Sequence, residues 1–282
     1  MDFARSLWLR VETIHAVTYF DPVCAQATTT AGLTGFWMGY FGCRAAPMGA
    51  VGAGVVEATF FNFAPTFVRR WVPEVWDRTS PETLVALRCE AAATALRALV
   101  PDAAATADAI NPELARAVGR CSPAGRPLFA ANRQVPLADD PVRALWQLCT
   151  CLREHRGDGH VAALTAAGLD GCEAHVLISL EQGNSPEDLQ KTRGWTEQDW
   201  AAAVQRCVDK ALVDEAGALT SEGRALRASV EATTDRLATM PFADAGDELR
   251  TVLLTTLEPA ALAISRSGVI RYPNPMGLPP LT

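Results

Sequence analysis

At 282 residues, 49% hydrophobic and 20% charged, the chain has the length of about two units and enough apolar material for a sizeable core. A net charge of -7 speaks against nucleic acid as the main partner, because a nucleic-acid binder usually carries a basic stripe. The most apolar stretch, 45–56, stops at Glu57, short of the about 20 residues a membrane span needs. The opening Met-Asp-Phe-Ala-Arg-Ser does not read as a signal peptide. A cytoplasmic protein with no membrane partner is the expectation.

In chain order, residues 3–20 predict a helix, with Phe3, Leu7, Val11, Ile14 and Thr18 on one stripe. His15 lies four residues from both Val11 and Tyr19 and borders that face. Residues 31–49 alternate glycines with bulky aromatics and place Trp37, Tyr40 and Arg44 on one helical face. Glycine weakens a helix by about 1 kcal/mol relative to Ala, so its use here points to close packing against a backbone or a ligand. A second aromatic group, Phe60, Phe61, Phe63 and Phe67, has Asn62 among it. Ser80-Pro81-Glu82 caps an amphipathic helix over 80–100. Residues 101–112 predict a turn or short helix, and Pro123–Pro141 a connector carrying Arg126, Asn132 and Arg133. Asp139-Asp140-Pro141 starts a helix predicted to end near Arg156, with Gly157-Asp158-Gly159 as a break and a further helix over 160–167.

From Gly171 the pattern is that of a winged helix-turn-helix. Three helices begin near Cys172, Ser185 and Thr196, Leu212–Thr220 reads as two short strands about a glycine turn, and a helix follows from Ser221 to about Thr239. The fold class predicted is mainly α: a helical domain over 1–135, a winged-helix domain with a small β-hairpin wing over 138–240, and a C-terminal helix with a Pro-rich tail over 241–282.

The run Ala211-Leu212-Val213 through Leu219-Thr220-x-x-Gly223-Arg224-Ala225-Leu226 resembles the winged helix of MarR-type regulators. Three further runs, Gly35–Phe41, Gly125–Asn132 and Leu152–His160, are similar to a family of single-chain winged-helix proteins described only by its helix-turn-helix. The resemblance implies fold, not mechanism, because winged helices also serve as scaffolds and dimer modules. A DNA-reading role would need phosphate contacts. The first turn of the recognition helix instead offers Glu197 and Asp199, and the wing tip Asp214 and Glu215.

The densest ionisable run is Arg153-Glu154-His155-Arg156-Gly157-Asp158-Gly159-His160. Its histidines and carboxylates suit acid/base work, with Glu154, His155, Asp158 and His160 as the catalytic candidates. Arg153 or Arg156 would clamp a carboxylate, sulfate or phosphate. His15, Tyr19, Trp37, Tyr40, Arg44, Asn62, Arg126, Asn132 and Arg133 are candidates for contacting the same ligand. The alternative is an interdomain salt-bridge network. The spacing matches no zinc motif. The eight cysteines form no C-x-x-C pair and read as reduced thiols. No phosphate loop or dinucleotide fingerprint is present, so no cofactor is expected. His175 receives no role. The expectation is a protein that binds a small organic molecule, anionic in one form, and converts it by cofactor-independent acid/base chemistry. The alternative is a ligand-responsive winged-helix regulator, dimeric through its terminal helices. A homo- or heterodimer fits either reading.

Overall fold

Proline at the first turn, where an amide hydrogen would be unpaired, sets many of the helix starts. It opens α2 (Pro22–Thr30), α5 (Pro65–Trp71), α7 (Pro81–Leu99), α9 (Pro127–Arg133), α10 (Pro141–Ala166) and α12 (Pro186–Arg193). Asp21, Ser80, Asp140 and Ser185 add side-chain caps to four of these. The remaining helices are α1 (Phe3–Phe20), α3 (Gly35–Ala45), α4 (Ala53–Thr59), α6 (Glu74–Arg78), α8 (Ala103–Arg120), α11 (Gly171–Gln182), α13 (Glu197–Asp209), α14 (Ser221–Thr239) and α15 (Asp247–Arg266). The structure, a computed structural model, describes residues 2–274 and 276–281. Among these, no single helix is long and apolar enough to cross a membrane.

Three apolar cores organise the helices. The largest joins α1, α7, α8, α15 and the first half of α10, around Ile14, Leu96, Leu114 and Trp146. A second, aromatic core holds Phe41, Phe60 and Phe63 from α3 and the α4–α5 region, with Leu84 and Leu128 beneath. The third is the helix-turn-helix core of α11–α13 with the end of α10, centred on Leu177, Trp200 and Cys207.

Two glycines fix the third core onto the second. A β-carbon on Gly171 would fall 2.1 Å from the Phe61 carbonyl oxygen, so only glycine lets the start of α11 reach the 60–62 turn. Gly194, at φ +77°, would clash with Phe67 if it had a side chain. Around it the Ala64 amide donates to the Arg193 carbonyl at 2.9 Å and Trp195 Nε1 donates to the Asn62 carbonyl at 3.1 Å.

The structure corrects three local expectations. The break at Gly157-Asp158-Gly159 is absent, and α10 runs unbroken to Ala166. Glycine weakens a helix without ending it, and Gly159 is needed for packing: a β-carbon there would sit 2.7 Å from the Arg126 guanidinium. The turn or short helix predicted over 101–112 is a turn followed by a longer helix, α8, which continues past Pro112 to Arg120. The predicted β-hairpin wing is no hairpin of strands. Among the described residues it is one isolated antiparallel bridge, Val213 to Leu219, with Asp214 N to Ala218 O and Thr220 N to Leu212 O on either side. Its arms stay that short because α14 starts at Ser221, with Gly223 packed directly on the Leu212 carbonyl.

A candidate ligand cavity between the helical body and the helix-turn-helix

Where the three cores meet, they leave a cavity of about 950 Å³. That is at the upper end of the range of small-molecule sites. Each wall is one helical face. On α10 it is Arg153, Arg156, Gly157, His160, Val161 and Leu164, spaced by three and four residues. On α1 the polar stripe Arg5, Trp8, Glu12 and Tyr19 faces inward. α3 supplies Phe36, Trp37, Tyr40 and Arg44, and the 59–63 turn adds Phe60, Phe61 and Asn62. The helix-turn-helix contributes Ala174, His175 and Ile178 from α11 and Thr192 and Arg193 from α12. Residues 276–280 of the tail complete the rim.

Arginine dominates the charge: Arg5, Arg44, Arg153, Arg156, Arg193 and Arg227 line the cavity against Glu12, Glu181 and Glu231. The floor is built on Glu154, buried under the cavity. Arg44 Nε and Nη2 donate to its two oxygens at 3.0 and 3.1 Å, and Arg153 Nη1 donates at 2.8 Å. Arg153 also reaches Glu12 at 3.3 Å, and Trp8 Nε1 donates to Glu12 at 3.2 Å. Burial alone would raise the Glu154 pKa, but Arg153 and Arg44 outweigh it and hold the carboxyl well below the usual range. The Arg44 guanidinium lies 4.3 Å from the Phe60 ring centre. On the opposite side Arg156 donates to Asp235 at 2.8 Å and stacks 4.7 Å over Trp8, while Arg5 pairs with Glu231 at 3.0 Å.

Beside the floor, His15 Nδ1 and Thr150 Oγ1 are 2.9 Å apart, as are His15 Nε2 and the Tyr19 hydroxyl. Thr150 spends its proton on the Trp146 carbonyl at 2.8 Å, so it accepts from His15 Nδ1–H. His15 Nε2 therefore accepts from Tyr19. Burial, followed by Arg153, keeps the His15 imidazole well below the usual histidine range, and burial raises Tyr19. The pair is neutral, with the phenol at the cavity wall. His160 is fixed in the same way. Thr234 donates to the Val230 carbonyl, so His160 Nδ1–H donates to Thr234 at 2.9 Å and leaves Nε2 as an acceptor. Burial pushes His160 down to about 4, against the opposing pull of Glu231.

The four sequence-derived catalytic candidates divide between two sides of α10. Of these only His160 lines the cavity, together with Arg153 and Arg156, while Glu154 is buried and reaches it only through Arg44 and Arg153. His155 and Asp158 lie on the far side. His155 packs edge-on against Phe129 at 5.1 Å, its carbonyl accepts from Arg126, and burial pushes its pKa down to about 4. Asp158 accepts from the Phe129 amide at 2.9 Å and so caps α9 through space, and burial pushes its carboxyl up to about 6. Tyr19, Trp37, Tyr40, Arg44 and Asn62 line the cavity. Arg126, Asn132 and Arg133 do not. Asn132 accepts from the buried Arg88 at 2.7 Å, and Arg133 donates to the Cys121 carbonyl at 3.2 Å. The sequence reading missed Arg5, Trp8, Glu12, Glu231 and His175. The 5/8/12/19 spacing on α1 was the available clue. The residues of α14 had none, since only the fold brings them to α10.

All eight cysteines are free, and burial pushes every thiol up, Cys43 to about 11. Among the described residues no cluster of His, Cys, Asp or Glu is arranged to hold a metal ion.

Nearly the whole chain, residues 4–271, matches a helix-turn-helix family. The chain belongs to this helix-turn-helix family. The match does not extend to the MarR-type class or to a wing. No curated protein and no solved structure matches the chain. In this member, α13 exposes Glu197, Gln198, Ala201, Ala202, Gln205 and Asp209. Its basic groups are tied down: Arg206 donates to Asp170 and Glu173 at 2.6 and 3.1 Å, and Lys210 to Glu173 at 2.8 Å.

Proposed function

We propose that the protein binds a small amphipathic anion, an aromatic carboxylate or sulfonate in class, and that its helix-turn-helix serves as one wall of the binding cavity. The observation that carries this reading is the cavity itself: an aromatic wall from α3 and the 59–63 turn faces arginines held in place by buried carboxylates. Arginine in a fixed orientation suits the planar fork of a carboxylate. Proton-transfer chemistry, as expected from the sequence, would rest on His160 and the Tyr19–His15 pair, with Glu154 as the anchor of the arginines.

Calorimetric titration with 2-naphthoate and 2-naphthalenesulfonate tests the reading. Saturable one-to-one binding that competes between the two is expected. A protein that takes up neither would sink it. Family membership favours a second reading, a ligand-responsive regulator. Fluorescence anisotropy with mixed duplex DNA separates the two. A regulator would bind tightly, with affinity falling steeply as salt rises. The acidic face of α13 predicts no binding at micromolar protein.

A further inference from the structure

His175 stands on α11, one turn beyond Gly171, and lines the cavity from the helix-turn-helix side. It is 4% exposed, and neither ring nitrogen has a hydrogen-bond partner. Burying an imidazole with both nitrogens unpaired is costly, and native proteins seldom leave such groups unmatched. The chain's other three histidines do not share this state. His15 and His160 are hydrogen-bonded, and His155 is packed on Phe129. The Asn62 carbonyl, which accepts from Trp195 Nε1 at 3.1 Å, lies close enough to oppose the lowering of the ring's pKa but makes no hydrogen bond of good geometry with it, and it could serve only one of the two nitrogens. Burial and then Arg193 push the ring down to about 3, so at neutral pH it carries one donor and one acceptor and no charge.

We propose that His175 is a ligand-recognition residue: its ring hydrogen-bonds a neutral hydroxyl or N–H group of the aromatic anion, while the acid group of that ligand lies toward the arginines of α3 and α10. The inference rests on the cavity reading above and narrows it, to an aromatic acid that also carries a hydroxyl or amide. Such a ligand touches α1, α3 and α10 at one end and α11 at the other, and so bridges the body and the helix-turn-helix.

The test compares 2-naphthoate with the set of its hydroxy isomers on the wild-type protein and on His175→Leu, by calorimetry and thermal unfolding. At least one hydroxy isomer is expected to bind the wild type about tenfold more tightly than 2-naphthoate, the size of one good hydrogen bond. His175→Leu should erase that gain, so that no hydroxy isomer binds the variant more tightly than 2-naphthoate does. In the ligand-free protein the same substitution should raise Tm by about 2–4 °C, because it removes an unpaired buried ring. A hydroxyl gain that survives in His175→Leu, or no gain for any isomer in the wild type, overturns the proposal while naphthoate binding still supports the cavity. A fall in Tm also overturns it, since it would mark His175 as a packing residue. If the wild type binds neither naphthoate nor any hydroxy isomer, the cavity reading fails and the proposal for His175 falls with it.

Discussion

Arg44 and Glu154 meet as a two-pronged fork, Nε to Oε1 and Nη2 to Oε2, at 3.0 and 3.1 Å across 110 residues of sequence. The carboxylate is buried and also holds Arg153, so one group orients two cavity arginines. Removing a single charge from such a pair leaves its partner stranded. Glu154→Gln is expected to lower unfolding free energy by about 3–5 kcal/mol in urea titrations. A loss under 1 kcal/mol would mean that water already reaches the arginines and that Glu154 does not hold them.

The Tyr19–His15–Thr150 chain makes a separate prediction. The two threonine and tyrosine partners fix His15 as the Nδ1–H tautomer. Nitrogen NMR of the histidine rings should show that tautomer and no imidazolium at pH 6. Tyr19→Phe removes the donor to Nε2 and should cost about 1–3 kcal/mol. A ring that titrates near 6.5 would show that the interior around His15 is wet.

How much of this was open to a reader of the sequence follows from which interactions are local. Helix starts were legible because a cap and a proline sit within a few residues, as at Ser80-Pro81 and Asp140-Pro141. The face Trp37, Tyr40, Arg44 was legible because α3 has a fixed period. Which side of α10 each polar group occupies was not. Glu154 and His155 are adjacent in sequence, yet one lies under the cavity with Arg44 and the other packs on Phe129. Only the fold decides that, by bringing Arg44 of α3 to Glu154 and packing α9 against His155. The wing failed for the converse reason: Leu212–Thr220 has the composition of a hairpin, but the immediate start of α14 leaves no length for a ladder.

Acid stability depends on all four histidines, since burial lowers each of them: His15 well below its ordinary value, His155 and His160 to about 4, His175 to about 3. In the unfolded chain each would take up a proton as pH falls below about 6.5. The native state takes up none until about 4, so their contribution is present above 6.5 and is lost as pH falls through that window. Urea unfolding between pH 7 and 5 should show stability dropping with decreasing pH, with up to about four protons bound on unfolding. His160→Gln should reduce that uptake by about one. A flat profile would contradict the burial of these rings.

Asp158 carries the opposite sign. Burial raises its carboxyl from 3.8 to about 6, although the Phe129 amide, donating at 2.9 Å, works the other way. The native state therefore holds this proton more tightly than the unfolded chain. The stability it confers is present below about pH 4 and is lost as pH rises through about 6. Asp158→Asn keeps an oxygen for the Phe129 amide and has no charge to bury. Above pH 7 the variant should be more stable than wild type, by at most about 3 kcal/mol, with the difference vanishing toward pH 4. Asp158→Ala should instead lose about 1 kcal/mol with the cap of α9. If Asp158→Asn proved less stable than wild type at pH 8, the carboxylate would be ionised in the native state and held by Arg126. Because Asp158 lies on the far side of α10, neither variant should change naphthoate affinity, and a change of tenfold would return Asp158 to the list of ligand-contacting groups.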